Sequence, residues 1–387
     1  MHRKIALALL LLATACKFPE KAAPAAKLAA PTEAEARQYA EQFIEALSKP
    51  NVARASMMID WDVLLDRATA DGGGSKRFRD GFIKGAKENA QLSSYAQQMA
   101  KMVGDGAQIS LLRIRGDEKE RRALLRVLLP NGGVTYNDLL LVRDDKGFVR
   151  AADVYAYATG EYFSAGMRRM YLSALAAEPT AMQRLAGKQN TSIEAIRMYK
   201  EMSEKTMAGQ NQEAVNLFKR MPPELRKEKI VLVGYVSASA NLDEAQYQAA
   251  IEELRKTYPN DAGIDLMLID GFYLKKRYDD ALTAVDRLDT SLGGDPYLDT
   301  LRANILVEKG DLDAAYRYAS RGAGREPSLA AAQWSLVSIS LARKNFDETA
   351  RLLTHLRDDL HVQPGDLTTA PVYAEFVRSG AYRRWRQ

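Results

Sequence analysis

The chain has 387 residues, 47% of them hydrophobic, which is enough for two folded units that each bury a core and excludes a disordered chain. Its formal charge of +5 at pH 7 is too mild to imply nucleic acid. Cys16 is the only cysteine, so an internal disulfide is excluded as well.

His2-Arg3-Lys4 forms a short positive head, and Ile5 to Ala15 is an eleven-residue, almost wholly apolar run. Crossing a bilayer takes a helix of about 20 apolar residues, so segment 1–15 reads as an export signal. It closes on Leu11-Leu12-Ala13-Thr14-Ala15-Cys16, which resembles the lipobox of bacterial lipoproteins, where a small residue precedes the cysteine that becomes the lipidated N-terminus. The resemblance implies an acylated Cys16 holding the protein to a lipid bilayer of the cell envelope. Lys17, where Asp is absent, implies the outer membrane, facing the periplasm. Ordinary secretory cleavage stays open beside it. Ala13 stands where the family usually has Leu, and Ala13-Thr14-Ala15 satisfies the small-x-small rule. Residues 16–31, rich in Ala, Pro and Lys, form an extended tether.

The first folded unit spans 32–160 and opens on Thr32 and Glu35, which have the spacing of a capping box. Three helical stretches are expected near 33–48, 52–69 and 75–103, and then the hydrophobic period changes. Four strands follow at 107–115, 121–129, 134–143 and 148–157, joined by short polar loops that permit only antiparallel neighbours. In the second strand Ala123, Leu125, Val127 and Leu129 share one side, while Arg122 and Arg126 alternate with Leu124 and Leu128 on the other. The run Tyr136-Asn137-Asp138 to Asp153-Val154-Tyr155, ending an α-then-meander order, resembles the cone-shaped nuclear-transport-factor-2-like fold over about 32–158.

Some members of that superfamily use Asp, Tyr or His in the cone as catalysts, and others only bind ligands or partners. The acid candidates are Asp60, Asp62, Asp138 and Asp153, with Tyr155 and Tyr157. No histidine lies between Cys16 and His355, so the commonest base near neutral pH is missing. The reading preferred for these residues is structural: Trp61 in the core, the helix carboxylates capping or exposed, and Asp153 paired with an Arg on a neighbouring strand. Asp71-Gly72-Gly73-Gly74-Ser75-Lys76 lacks the spacing of a phosphate loop and reads as a loop capping the next helix.

Residues 161–191 form a connecting helical region with a break near Glu178-Pro179, after which a repeat appears. Tyr278, Leu312 and Phe346 are 34 residues apart, and Ala281, Ala315 and Thr349 keep the same interval. Their surroundings resemble the turn into the second helix of the tetratricopeptide repeat. Two less regular units precede them, with Ala214 and Ala250 taken as the small residues. Five repeats are expected at 192–224, 225–261, 262–295, 296–329 and 330–363, with Asp295-Pro296 and Glu326-Pro327 marking helix starts. A helix within 364–387, carrying Val372, Tyr373, Phe376, Val377, Tyr382 and Trp385, would cap the stack.

The fold class is therefore an α+β unit, helices plus a four-stranded antiparallel meander, followed by an all-α tetratricopeptide superhelix. The family resemblance puts a concave groove along the first helices, lined by Leu266, Asp270 and Tyr273, then Thr300, Asn304 and Val307, then Trp334, Ser338 and Leu341. Lysines that would grip a peptide carboxylate are absent from it, so an apolar helix or extended segment of an envelope protein is the expected partner. Arg302 falls at a normally apolar packing position. His355 and His361 lack metal-ligand spacing, and no cofactor or metal is called for. The chain reads as a membrane-anchored scaffold without enzymatic activity. A ligand-binding or enzymatic cone recruited by the repeats is the alternative.

Overall fold

The computed structural model describes residues 30–48, 52–70, 72–88, 94–130, 132–176 and 190–387. The signal segment 1–15, Cys16 and almost all of the tether lie outside the described residues, as does the break at Glu178-Pro179. The chain divides into two compact units, the first ending at Asp261 and the second being Ala262–Gln387.

The first unit opens with α1 (Glu33–Ser48), whose start is held by the reciprocal bonds of a capping box. Thr32 N donates to Glu35 Oε2 at 2.8 Å and Glu35 N to Thr32 Oγ1 at 3.3 Å. The single helix expected over 52–69 is two, α2 (Val52–Met57) and α3 (Trp61–Thr69). Between them Asp60 N donates to Ala151 O and Ala151 N to Met58 O, and Tyr39 Oη takes up Met58 O from the other side. Those bonds to a strand replace the helical ones. Asp60 then caps α3 by accepting from Val63 N at 3.0 Å, a bond of the kind worth about 1 kcal/mol. The stretch expected as one helix over 75–103 comprises α4 (Lys76–Glu88), capped by Ser75, and α5 (Ser94–Gly104).

The sheet has five strands rather than four: β1 (Gln108–Gly116), β2 (Arg121–Leu128), β3 (Val134–Arg143), β4 (Val149–Ala156) and a two-residue β5 (Glu161–Tyr162). They pair antiparallel in the order β1-β2-β3-β4-β5. The last was too short to show a period of two. Ala123, Leu125, Val127, Leu139 and Val154 face a core shared with Tyr39 and Phe43 of α1, Leu64 and Leu65 of α3, and Met99 of α5. The opposite face is more enclosed than the alternation of Arg and Leu suggested. Leu124 and Tyr136 are fully buried, and Arg126 is 3% exposed.

Asp153 has no accessible surface, and its partners are Arg67 of α3 at 3.0 Å and Ser164. This corrects the expected pairing with a strand arginine, which occurs instead at Asp138, where Arg122 donates from β2 at 3.2 Å. After β5 come α6 (Phe163–Ala176), α7 (Asn190–Met207), α8 (Asn211–Arg220), the short α9 (Pro223–Arg226), α10 (Lys229–Ser239) and α11 (Glu244–Thr257). Lys229 bonds to Gly160 O and to Asp261, and Tyr155 Oη donates to Asp261 at 2.6 Å. These bonds tie helices to sheet, which is why the compact unit extends to Asp261.

The second unit is three helical hairpins: α12 (Ala262–Leu274) with α13 (Tyr278–Leu292), α14 (Pro296–Lys309) with α15 (Leu312–Arg325), and α16 (Ala330–Ala342) with α17 (Phe346–Asp358). Tyr278, Leu312 and Phe346 each open a second helix, and three residues on, Ala281, Ala315 and Thr349 have no accessible surface. Two residues before each opening, the chain turns through the left-handed region at Lys276 (φ 58°), Gly310 (φ 90°) and Lys344 (φ 57°). The hydrogen bond that closes each turn is the same one, running from Arg277 N to Phe272 O, Asp311 N to Leu306 O and Asn345 N to Ser340 O.

In the first unit Gly209 (φ 75°) and Ala214 occupy these places before and within α8. In α11, however, Asp243 is the cap and Tyr247 the fourth residue, so Ala250, expected at the small position, lies one turn further along. Pro296 opens α14, but Pro327 does not open a helix. A turn closed by Leu329 N and Glu326 O intervenes before Ala330.

The expected C-terminal capping helix is broken into two 3-10 turns followed by α18 (Ala374–Arg378) and α19 (Gly380–Trp385). Pro371 and the Ser379-Gly380 pair interrupt it, and Ser379 caps the last helix. Phe376 and Tyr382 are buried, with Phe376 6.0 Å from the Phe346 ring, but Val372 is 67% exposed and covers nothing.

A left-handed turn costs an L-residue about 1 kcal/mol that glycine avoids. We expect Lys276→Gly to raise stability by about 1 kcal/mol and Gly310→Ala to lower it by a similar amount, measured as opposite shifts of the urea unfolding midpoint of the full chain.

Candidate functional site

The face formed by the first helices of the second unit carries eight of the nine residues assigned to the groove in contact with solvent. Asp270, Asn304 and Ser338 are exposed, and Leu266, Tyr273, Val307, Trp334 and Leu341 are half-buried. Thr300 does not belong there. It is 1% exposed, because Gly322 of α15 lets the neighbouring helix approach so closely that an added methyl would sit 3.3 Å from Thr300 Oγ1. Asn304 accepts from Ser335 Oγ at 2.8 Å and so joins α14 to α16. Ser338 turns back on Trp334 O. The Trp334 indole has no ring, ionic or hydrogen-bond partner among the described residues.

The helices supply this face by their period. Positions three and four residues apart share one side, so 266, 270 and 273 line up on α12 and recur at a 34-residue step on α14 and α16. The opposite sides carry Leu268, Ile269 and Phe272, Ile305 and Leu306, and Leu336 and Ile339, all buried. Two exposed residues at the end of the face were not anticipated: Leu274, 68% exposed, and Glu308, which stands 34 residues after it. Burial first, and then the negative charge of Glu308, pushes the Tyr273 phenol above its ordinary range. Burial alone does the same to the Asp270 carboxyl, which water reaches but no cation offsets.

Beneath the face lies a network of buried charge. Arg302, 4% exposed, donates to Asp286 at 2.8 Å, Asp289 at 2.9 Å and Asp299 at 3.0 Å. Asp299, with no accessible surface, is also bonded by Arg321 and Arg325. Arg302 is therefore no break in the repeat register: acids on α13 and α14 surround it at a position others fill with apolar groups. The couple Asp299 and Arg321 repeats, 34 residues earlier, as Asp265 and Arg287 at 2.7 Å. That recurrence was visible in the sequence, but it pairs unlike charges across two helices and a search for apolar periodicity passes over it.

In the first unit the acid candidates are accounted for by structure. Asp60 is a cap, Asp62 is exposed and bonded to Lys87, and Asp138 is held by Arg122. Tyr155 and Tyr157 are packed ring to edge at 5.1 Å, with Arg115 donating to Tyr157 Oη at 3.2 Å. His355 Nδ1 lies 2.5 Å from Asp359, and among the described residues no group of three metal-ligating side chains converges. No helix of the described residues is long and apolar enough to cross a membrane.

No protein-family model matches the chain, and no curated protein matches it. Among solved structures, a point-mutant form of MamA is 13% identical over 43% of this chain and 98% of its own, with a TM-score of 0.31. MamA MSR-1 C2 is 13% identical over 44% and 97%, with a TM-score of 0.32. Likeness of that degree carries no argument about this chain.

Burial alone would raise the Asp299 carboxyl, but bonds and charge from Arg321, Arg325 and Arg302 more than offset it and hold it below the usual carboxylate range. A depressed folded-state value contributes stability that is present above the unfolded value of about 3.9 and is lost as pH falls through the folded one. We expect the second unit to lose stability below about pH 4. Asp299→Asn should cost about 3–5 kcal/mol at neutral pH, because it strands buried arginine charge, and it should flatten that acid-side loss in denaturant titrations.

Proposed function

We propose that the protein is a scaffold of the bacterial envelope, held to a membrane through acylated Cys16, that grips a partner protein on the first-helix face of its repeats. The observation that carries this reading is the face itself: Tyr273, Val307 and Leu341 present apolar and aromatic surface to solvent at equivalent places on successive helices, and Trp334 adds to it from nearer the start of the last of them. Large side chains kept in contact with solvent are what protein recognition uses, and Trp and Tyr contribute most per residue when a partner covers them.

Support for the anchor comes from the N-terminal residues alone: a positive head, an apolar run too short to span, and a lone cysteine after Ala15. Lys17 favours the outer membrane, with the folded units facing the periplasm. The first unit, helices followed by an antiparallel meander, fits a nuclear-transport-factor-2-like fold in element order. We assign it a supporting role, because its candidate acids and tyrosines are engaged with one another, with arginine, lysine and serine side chains and with a helix N-terminus. An enzymatic role has no base of the usual kind to rest on.

Two experiments test the reading. Photocrosslinkers placed separately at Trp334 and at Tyr273 in cells should capture the same protein reproducibly, and Trp334→Ala with Leu341→Ala should abolish capture from Tyr273 while circular dichroism shows the chain still folded. Capture no different from that at an exposed second-helix site such as Asp313 would defeat the proposal. For the anchor, Cys16→Ser should move the protein from the membrane fraction to the soluble fraction and remove incorporation of labelled fatty acid. Persistence of either signal would count against acylation.

A further inference from the structure

The first helices of the second unit are almost bare of exposed positive charge. Along α12 there is no lysine or arginine at all, along α16 there is none, and on α14 Arg302 is buried among acids while Lys309, at the end, pairs with Asp279. Negative charge is present instead. Asp270 and Glu308 are exposed on this face, and neither is in an ion pair or hydrogen bond among the described residues. Elsewhere in the same unit the exposed carboxylates are commonly engaged. Asp279, Asp313, Asp347 and Asp280 all hold a Lys or Arg.

Both acids stand near an aromatic residue of the face. Tyr273 follows Asp270 by three residues, on the same side of α12, and feels the charge of Glu308 on α14. An aromatic ring with a carboxylate on its own helix and another on the next attracts an ammonium or guanidinium group, by cation–π and by direct charge. The apolar residues Val307, Trp334 and Leu341 continue the face away from that point.

We infer that the partner segment is an otherwise apolar stretch of protein carrying a lysine or arginine, whose cation is received by Asp270, Glu308 and the Tyr273 ring while its apolar side covers Val307, Trp334 and Leu341. This rests on the first-helix face being the binding surface, and it adds the sign of charge the partner must bring. The carboxyl of Asp270 agrees: desolvation by its apolar neighbours pushes it up with no cation to bring it back, and a bound cation would supply one.

The test uses a displayed random dodecapeptide library selected on the full chain, on a double variant Asp270→Asn with Glu308→Gln, and on Trp334→Ala. Peptides from the unaltered chain should be enriched in Lys or Arg over Asp or Glu. The double variant should lose that enrichment and bind the best lysine-bearing peptide about tenfold more weakly, with circular dichroism unchanged. Trp334→Ala should weaken every selected peptide. Binders that need Trp334 but show no preference for cations overturn the inference and leave the binding face standing. Binders indifferent to Trp334, or none at all, overturn the binding face and the inference with it.

Discussion

The second unit depends on one close approach made three times. Each second helix starts two residues past a left-handed turn and brings its fourth residue against the first helix so tightly that Ala281, Ala315 and Thr349 have no accessible surface. A larger side chain there would need the helices to part, at a cost of about 1–3 kcal/mol for each overpacked site. Everything repeated in the unit follows from that contact. Because the turn and the enclosed residue recur at a fixed step, so do the rows of the first helices, and side chains far apart in sequence share one face. The first unit shows how much latitude the contact has. At Tyr247 the fourth place holds a large residue, and α10 ends in a longer turn without a left-handed residue.

Charge enters this apolar stack at Arg302, and the arrangement around it explains how. A buried guanidinium is tolerated only when its donors are satisfied, and Asp286, Asp289 and Asp299 take them up from three positions on two helices. Such a network adds little net stability over apolar packing. What it does add is register, since a slip of α14 against α13 would part Arg302 from Asp286 and Asp289. The simpler couple of Asp265 with Arg287 does the same one hairpin earlier, and at the next step Gln333 and His355 stand in the corresponding places, without a charged pair. The charged register is thus confined to the first two hairpins of the unit, under the part of the face where Asp270 and Glu308 stand.

Much of this was legible in the sequence because it has a period. The step of Tyr278, Leu312 and Phe346, the strands of the meander and the capping box of Thr32 and Glu35 each carry a local pattern that survives without tertiary knowledge. The losses were of contacts between segments distant in the chain. The helix expected over 52–69 is split because Ala151, far along the sequence, claims the backbone of Met58 and Asp60. Thr300 was placed on the open face by carrying family positions over, and only the absent side chain of Gly322 shows why it is enclosed. Asp153 was assigned to a neighbouring strand and meets Arg67 of a helix, since strand alternation says nothing about what packs over a sheet. Glu308 escaped notice because the family positions carried over stop at Val307.

Two polar surfaces in the molecule invite a functional reading, and their chemistry separates them. On the sheet, Arg122 is divided among Asp138, Glu120 and Tyr162, Arg115 bonds Tyr157, and Tyr155 is bonded to Asp261, which also holds Lys229. Cations, carboxylates and phenols there largely satisfy one another, with Asp138 Oδ1 the exception among these carboxylates, so a ligand would have to displace a partner for most of the bonds it made, which leaves little net gain. On the first-helix face the balance is reversed. Asp270, Glu308 and Trp334 hold no partner that a ligand must displace, and Tyr273 meets only the edge of Tyr278. Affinity comes from the difference between bonds made and bonds given up, so a surface whose groups are already committed is the poorer site however rich its composition. By that measure the arginines and tyrosines of the sheet are structure, and the sparser face of the repeats is where binding energy is still available.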